Sequence, residues 1–324
     1  MQEIINSIFA IESNQDFEDC AIQVFRHQFD QCTIYRQFAE NLSMNNPSSI
    51  TEIPFLPISF FKSHEIKSGD FDAELIFRSS GTGGDRSCHY VKDGLVYETS
   101  FLKAYRYFIG NPENQVFIAL LPNYIEQGES SLVHMVDHLI SLSQDANSGF
   151  LLNDLDQVQK IYDQSIAQGK EFVLIGVAYA LLDLGELNIN IPEAKIIETG
   201  GMKGRRKELS KEELHGILKT KLNTSSISSE YGMTELLSQA YSRKNGIFES
   251  PNWMKVMARQ TNDPLSYLVD GRTGALNIID LANIHSCSFI ATDDLGKVNG
   301  NTFEILGRID HSDIRGCNLL VQDT

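Results

Sequence analysis

Phe172-Val173-Leu174-Ile175-Gly176-Val177-Ala178-Tyr179-Ala180-Leu181-Leu182 is the longest apolar run in the chain. A bilayer span needs about 20 such residues, so a run of about half that length reads as a buried strand and its continuation. Upstream, residues 116–121 form a second continuous apolar run, and residues 131–142 and 155–168 carry helical spacing. Downstream come a strand over 195–198, a helix over 212–222 and a strand over 226–229. Alternating strand and helix predicts an α/β fold with a largely parallel sheet.

The flanks read differently. Residues 1 to 47 place Phe17, Cys20, Ile22, Phe25 and Phe29 at helical spacing with few glycines or prolines, which predicts a helical cap. Pro54-Phe55-Leu56-Pro57 breaks that pattern. A short strand over 73–78 then runs into Ser79-Ser80-Gly81-Thr82-Gly83-Gly84. Tyr97, Phe101, Tyr105 and Phe108 recur at helical spacing, read either as plain core or as the lining of an apolar acyl pocket. Beyond residue 236 short strands such as 274–280 and 288–292 predict a smaller β-rich lobe. No internal repeat is visible.

The 324 residues, 42% of them hydrophobic, suffice for a full core. With 43 acidic against 27 basic residues the formal charge is −16, which argues against nucleic acid as a partner, because phosphate backbones need clustered Lys and Arg. A nucleotide asks less: local cations, backbone N–H groups and Mg²⁺ can hold a triphosphate in a negative field. The start Met1-Gln2-Glu3-Ile4-Ile5 lacks the basic and apolar regions of a secretory signal. Five cysteines (Cys20, Cys32, Cys88, Cys287, Cys317) without a C-x-x-C pair suggest reduced thiols and a cytoplasmic setting.

The glycine-serine loop at 79–84 can converge N–H and hydroxyl groups on phosphoryl oxygens, and equally can be a plain turn. It is not a Walker A loop, since Asp85-Arg86-Ser87 stands where Lys and Ser or Thr belong, and it does not fit G-x-G-x-x-G. Three further segments gain meaning together: Tyr231-Gly232-Met233-Thr234-Glu235, Thr292-Asp293-Asp294-Leu295-Gly296 and Gly307-Arg308-Ile309-Asp310. Glu235 beside Thr234 can bind Mg²⁺ and a phosphate, while an Asp and an Arg can share a sugar. Taken singly, 292–296 and 307–310 read as strand-end turns. Cys88 and His89, as strand neighbours, point to opposite faces and make no catalytic pair. Gly128-Glu129-Ser130 lacks the second glycine of a nucleophile elbow. His134 and His138 share a helix face without an evident third metal ligand.

In order and spacing these four segments resemble the adenylate-forming superfamily of acyl-CoA synthetases, luciferases and peptide-synthetase adenylation domains. The resemblance implies that Ser79, Ser80, Gly81, Thr82, Gly83 and Gly84 embrace phosphates. It further implies that Tyr231, Gly232, Thr234 and Glu235 bind nucleotide and Mg²⁺, that Asp294 holds the ribose, and that Arg308 and Asp310 form a hinge. Within the superfamily, Phe60-Phe61-Lys62-Ser63-His64, Leu121-Pro122-Asn123-Tyr124, Glu198-Thr199-Gly200-Gly201-Met202-Lys203-Gly204-Arg205 and Ser229-Glu230-Tyr231-Gly232 are similar to the acyl-protein synthetases of the bacterial luminescence fatty-acid reductase system. Gly200 and Gly201 then join the nucleotide contacts.

Two departures matter. In the loop, Gly83 replaces a threonine and Ser87 falls at the lysine position, with Arg86 a possible substitute cation. The sequence ends at Thr324, 14 residues after Asp310, so the superfamily's small C-terminal domain and its lysine are expected to be absent, and Lys203 or Arg205 become candidates for that charge. The implied organisation is an adenylate-forming core at 1–306, its helical cap at 1–53, and a hinge-like segment with a short tail at 307–324. The implied activity is ATP- and Mg²⁺-dependent activation of a carboxylic, probably fatty, acid as acyl-AMP. The acyl group would pass to Cys317 of Arg315-Gly316-Cys317-Asn318, to another protein or carrier thiol, or to CoA. A structural role for Cys317, a CoA ligase or acyltransferase, and a non-catalytic nucleotide- or acyl-binding subunit stand as alternatives.

Overall fold

Ser13 and Asp16 start the longest helix of the cap by a reciprocal pair of bonds: the Ser13 hydroxyl takes the Asp16 N–H while the Asp16 carboxylate takes the Ser13 N–H. In this computed structural model, which describes residues 1–80, 86–122, 129–151, 154–200, 209–244 and 246–309, that helix is α2 (Asn14–Gln31), between α1 (Gln2–Ile8) and α3 (Thr33–Asn41). Phe17, Cys20, Ala21, Val24 and Phe25 line its buried stripe. The cap does not stand apart. Gln28, fully buried, donates to the Asn283 carbonyl at 2.9 Å and accepts the Ser288 N–H at 2.9 Å, tying α2 to the far end of the chain. Tyr35 stacks on Phe289 at a centroid distance of 5.9 Å.

After the two-residue strand β1 (Leu56–Pro57) and the turn of helix α4 (Phe60–Ser63), β2 (Leu75–Arg78) and β3 (Cys88–Val91) form an antiparallel hairpin. Helix α5 (Gly94–Phe108) follows, with Tyr97, Phe101, Tyr105 and Phe108 all buried. These aromatics are core, joined edge to face as in Tyr97–Phe101 at 4.9 Å.

The alternating region builds a parallel sheet. Strands β4 (Gln115–Leu120), β5 (Gly149–Phe150), β6 (Glu171–Val177), β7 (Lys195–Thr199) and β8 (Ile227–Tyr231) lie in the order β5-β4-β6-β7-β8. Helices α6 (Ser131–Ser143), α7 (Gln157–Ala167), α8 (Ala178–Gly185) and α9 (Lys211–Leu222) make the connections. Every residue of β4 is buried, as expected of a strand covered on both faces. The longest apolar run is only half strand. β6 ends at Val177 and the chain turns at once into α8, where Leu181 packs on Gly176 so closely that an added Cβ would sit 3.0 Å from it.

The β-rich end is present, and it is hydrogen-bonded to the parallel sheet. β9 (Ala240–Lys244) pairs antiparallel with β8, and the ladder runs on through β10 (Ile247–Glu249), β14 (Thr302–Arg308), β13 (Phe289–Asn299), β12 (Thr273–Asp280) and β11 (Met254–Arg259). Residues 292–296 and 307–308 therefore lie within β13 and β14, not in strand-end turns. Among the described residues no helix is long and apolar enough to cross a membrane.

Candidate active site

The site forms beyond the carboxyl ends of β7 and β8, where ligands of open α/β sheets bind, and the β2–β3 hairpin folds over it. Ser79 closes the hairpin neck with two bonds: its N–H reaches the Ser87 carbonyl at 3.1 Å and its hydroxyl accepts the Ser87 N–H at 3.0 Å. Arg86 donates from Nε to the Ser79 carbonyl at 2.5 Å. Glu129 stands beside both arginines of the neck, ion-paired with Arg78 and 4.0 Å from Arg86.

His89 fastens the hairpin to the Tyr231–Glu235 segment. Its Nδ1 lies 3.0 Å from the Thr234 carbonyl and its Nε2 2.8 Å from the Ser286 hydroxyl. A carbonyl can only accept, so Nδ1 carries the proton and Nε2 accepts from Ser286. Burial pushes the imidazole down to about 4, against the Thr234 bond, and the ring is neutral near pH 7.

Three of the residues singled out by motif meet directly. The Tyr231 hydroxyl donates to Asp294 Oδ2 at 2.7 Å, and Arg308 Nε donates to Asp294 Oδ1 at 2.8 Å. Asp294 and Arg308 are paired across β13 and β14, which is why the ion pair forms. The ring of Tyr231 rests on Phe248 and Phe303. Glu235 is 6% exposed. Burial raises its carboxyl above the ordinary range; a hydrogen bond from Ser87 and the charges of Arg308 and Lys62 oppose the rise without cancelling it. A buried carboxylate so thinly compensated suits a cation. Among the described residues no group of three His, Cys, Asp or Glu side chains could hold a metal alone, so a cation at Glu235 would need phosphate oxygens as further ligands.

Gly200, at the end of β7, has φ +66°, a left-handed conformation that glycine adopts without strain. Lys203, Arg205, Gly201, Gly81, Thr82, Gly83, Gly84, Asp310 and Cys317 lie outside the described residues. Sequence reading missed Ser87, His89 and Glu129 as parts of this neighbourhood. Only for Glu129 was there a signal, an acidic residue at the start of α6 in a chain segment first read for a nucleophile. His134 and His138 face Glu98 of α5, at 3.9 and 3.7 Å.

Residues 9–324 match the family of acyl-protein synthetases, LuxE. The chain belongs to this family. A relative within reach of sequence comparison is the long-chain-fatty-acid–luciferin-component ligase of Vibrio harveyi, 25% identical over 331 residues that cover 92% of this chain and 84% of that protein. Among solved structures, this acyl-protein synthetase family member resembles a 2-hydroxyisobutyryl-CoA ligase bound to its acyl-AMP and CoA, with TM-score 0.65, 11% identity, and 93% and 70–72% of the two chains covered across two crystal forms. It also resembles ATP-bound MatB of Rhodopseudomonas palustris (TM-score 0.55, 17% identity, 74% of this chain). O-succinylbenzoate coenzyme A synthetase of Bacillus subtilis, solved with ATP and magnesium, is similar at TM-score 0.52, 17% identity and 74% of this chain. The chain spans about half the length of these last two, 49% and 51%. At such identities the likeness establishes the fold: a mixed α/β sheet with flanking helices, as in the large domain of adenylate-forming enzymes.

Proposed function

We propose that this protein activates a carboxylic acid, with a long-chain fatty acid the first candidate, as its acyl-AMP and passes the acyl group to a thiol. A carboxylate oxygen attacks the α-phosphorus of ATP and the bond to pyrophosphate breaks. A thiolate then attacks the acyl carbonyl, and AMP leaves as the carbonyl–phosphate bond opens. The observation that carries this reading is the convergence of Tyr231, Asp294, Arg308 and Glu235 at one end of the sheet, beside the neck of the Ser79–Ser87 hairpin.

Within it, Asp294 accepts the ribose hydroxyls, Tyr231 and Gly232 with Gly200 and Gly201 flank the base, and Ser79, Ser80, Gly81, Thr82, Gly83 and Gly84 hold the phosphates. Thr234 adds a hydroxyl. Glu235 would hold Mg²⁺, which when bound neutralises the pyrophosphate as it departs. Lys203 or Arg205 supplies the positive charge near the acyl carboxylate, and Cys317 is the first candidate for the accepting thiol. Residues 1–306 form the core and 307–324 the hinge-like tail. Work in the cytoplasm accords with the free thiols of Cys20, Cys32, Cys88 and Cys287.

Acid-dependent pyrophosphate exchange with Mg-ATP tests the first step, with fatty and aromatic acids compared. Glu235→Ala should abolish it. Intact mass of wild type and Cys317→Ala after incubation with acid and ATP tests the second. An adduct lost in the variant assigns Cys317; exchange without an adduct moves the acceptor to CoA or a carrier. No exchange with any acid overturns the reading.

A further inference from the structure

Strands β7, β8 and β9 present one polar row to each face of the sheet, just before Gly200 and Gly232. Glu198, Ser229 and Ser242 are cross-strand partners, and so are Thr199, Glu230 and Tyr241 one residue further on. Side chains alternate along a strand, so the first row faces α9 and the second faces α5.

The two carboxyls have opposite surroundings. Glu198, fully buried, receives Lys211 Nζ at 2.5 Å and the Ser229 hydroxyl at 2.9 Å. Burial works to raise it, yet His215, Lys211 and Ser229 prevail and hold it below the usual carboxylate range. Glu230 is 6% exposed and takes only the Thr199 hydroxyl, on Oε2 at 2.5 Å, with no ion-pair partner among the described residues. Its other oxygen fills the space beside Gly232, where an added Cβ would lie 2.6 Å from Oε1. The groups around it are Thr199 and Glu198 of β7, Tyr241 of β9 and Tyr97 of α5, with Lys211 of α9 acting from the opposite face. Gln239, just before β9, hydrogen-bonds Tyr97, whose hydroxyl donates to the Ser131 carbonyl at the start of α6. Burial, with the charge of Glu198 adding to it, pushes the Glu230 carboxyl up to about 7 against the pull of Thr199 and Lys211.

We infer that Glu230 is a positioning residue for the nucleotide: an uncharged carboxylic acid that joins the Thr199–Gly200 strand end to the Tyr231–Gly232 turn. The inference rests on the proposed nucleotide role of those two glycines. Glu230 itself touches no ligand. One oxygen is tied to the strand that delivers Gly200, the other abuts the turn that delivers Gly232, and the two segments keep their spacing while the group is neutral. Loss of its proton places a second negative charge near Glu198 with one hydroxyl to hold it. The two strand ends then part to let water in.

Titration calorimetry with ATP at saturating Mg²⁺ from pH 6 to 8.5 tests this. The wild type is expected to lose on the order of tenfold in affinity at pH 8, as follows when only the neutral form binds and the midpoint is about 7. Glu230→Gln keeps the shape without the proton and should hold the low-pH affinity throughout; it also carries any titration of the nucleotide itself. Thr199→Val removes the donor that favours the carboxylate and should move the midpoint to higher pH. Identical pH curves for wild type and Glu230→Gln, or an unmoved midpoint in Thr199→Val, overturn the role of Glu230 and leave the adenylation reading standing. A pH dependence abolished in Glu230→Gln, with no exchange from any acid, does the reverse. No ATP binding by the wild type at any pH overturns both.

Discussion

Tyr231 and Arg308 take opposite oxygens of Asp294, the hydroxyl on Oδ2 at 2.7 Å and the guanidinium on Oδ1 at 2.8 Å. Each oxygen keeps a second lone pair. Asp294 is thus oriented by two fixed donors and still able to accept two more, which suits the pair of ribose hydroxyls proposed for it. Tyr231→Phe keeps the packing on Phe248 and Phe303 and removes one donor, a loss of about 1.5 kcal/mol for a bond to a charged group. The ATP KM in pyrophosphate exchange should rise about tenfold with kcat little changed. Asp294→Ala strands both donors and should cost more; equal effects from the two variants would detach Tyr231 from the ribose site.

Arg86 stands one residue before the position where the superfamily loop carries lysine, and its guanidinium already reaches the Ser79 carbonyl at the hairpin neck. If it supplies the cation for the phosphates, Arg86→Ala should raise the pyrophosphate KM about tenfold and flatten its dependence on salt. A KM within twofold of wild type, with a lowered melting temperature, would make Arg86 a brace for the hairpin alone.

His89 sets an acid limit on stability. Its folded value of about 4 lies below the ordinary 6.5, so the unfolded chain binds the extra proton first as pH falls. Stability from the neutral ring is full above pH 6.5 and drains away as pH drops from there to about 4. His89→Asn retains a donor for the Thr234 carbonyl without a titrating group. Urea midpoints measured at pH 7 and pH 4.5 should converge in this variant and diverge in the wild type.

Gly232→Ala puts a methyl group 2.6 Å from Glu230 Oε1 and 3.4 Å from Gln239 Cγ. The crowding should destabilise the fold by about 1–3 kcal/mol and weaken ATP. Adding Glu230→Ala makes room for the methyl group, and the double variant should regain much of the lost stability without regaining affinity. Strict additivity of the two changes in chemical denaturation would show that the two side chains do not share this space.

What was legible along the chain was what depends on near neighbours. Continuous apolar runs at 115–120 and 171–177 marked buried strands, and helical spacing marked α5, α6, α7 and α9 within a few residues. The break inside residues 172–182 was not legible, because an apolar run buried as strand and one buried as helix have the same composition. Residues 292–296 and 307–308 resembled turns for a similar reason: glycine and aspartate favour turns locally, and only the ladder between β13 and β14 makes them strand.

The sequence by itself determined the kinds of element, the acidic character that disfavours nucleic acid, and the set of groups from which a nucleotide site could be made. These follow from periodicity and composition, which act over a few residues. The tertiary structure decided which of those groups meet. Asp294 faces Arg308 because of a strand register, His89 reaches Thr234 because a hairpin folds over the sheet, and Glu198 has Lys211 while Glu230 has only Thr199 because adjacent strand residues face opposite sides. Charge state in a protein depends on burial and on partners distant in sequence, so two glutamates in similar strand positions become one anion and one acid only once the sheet is assembled.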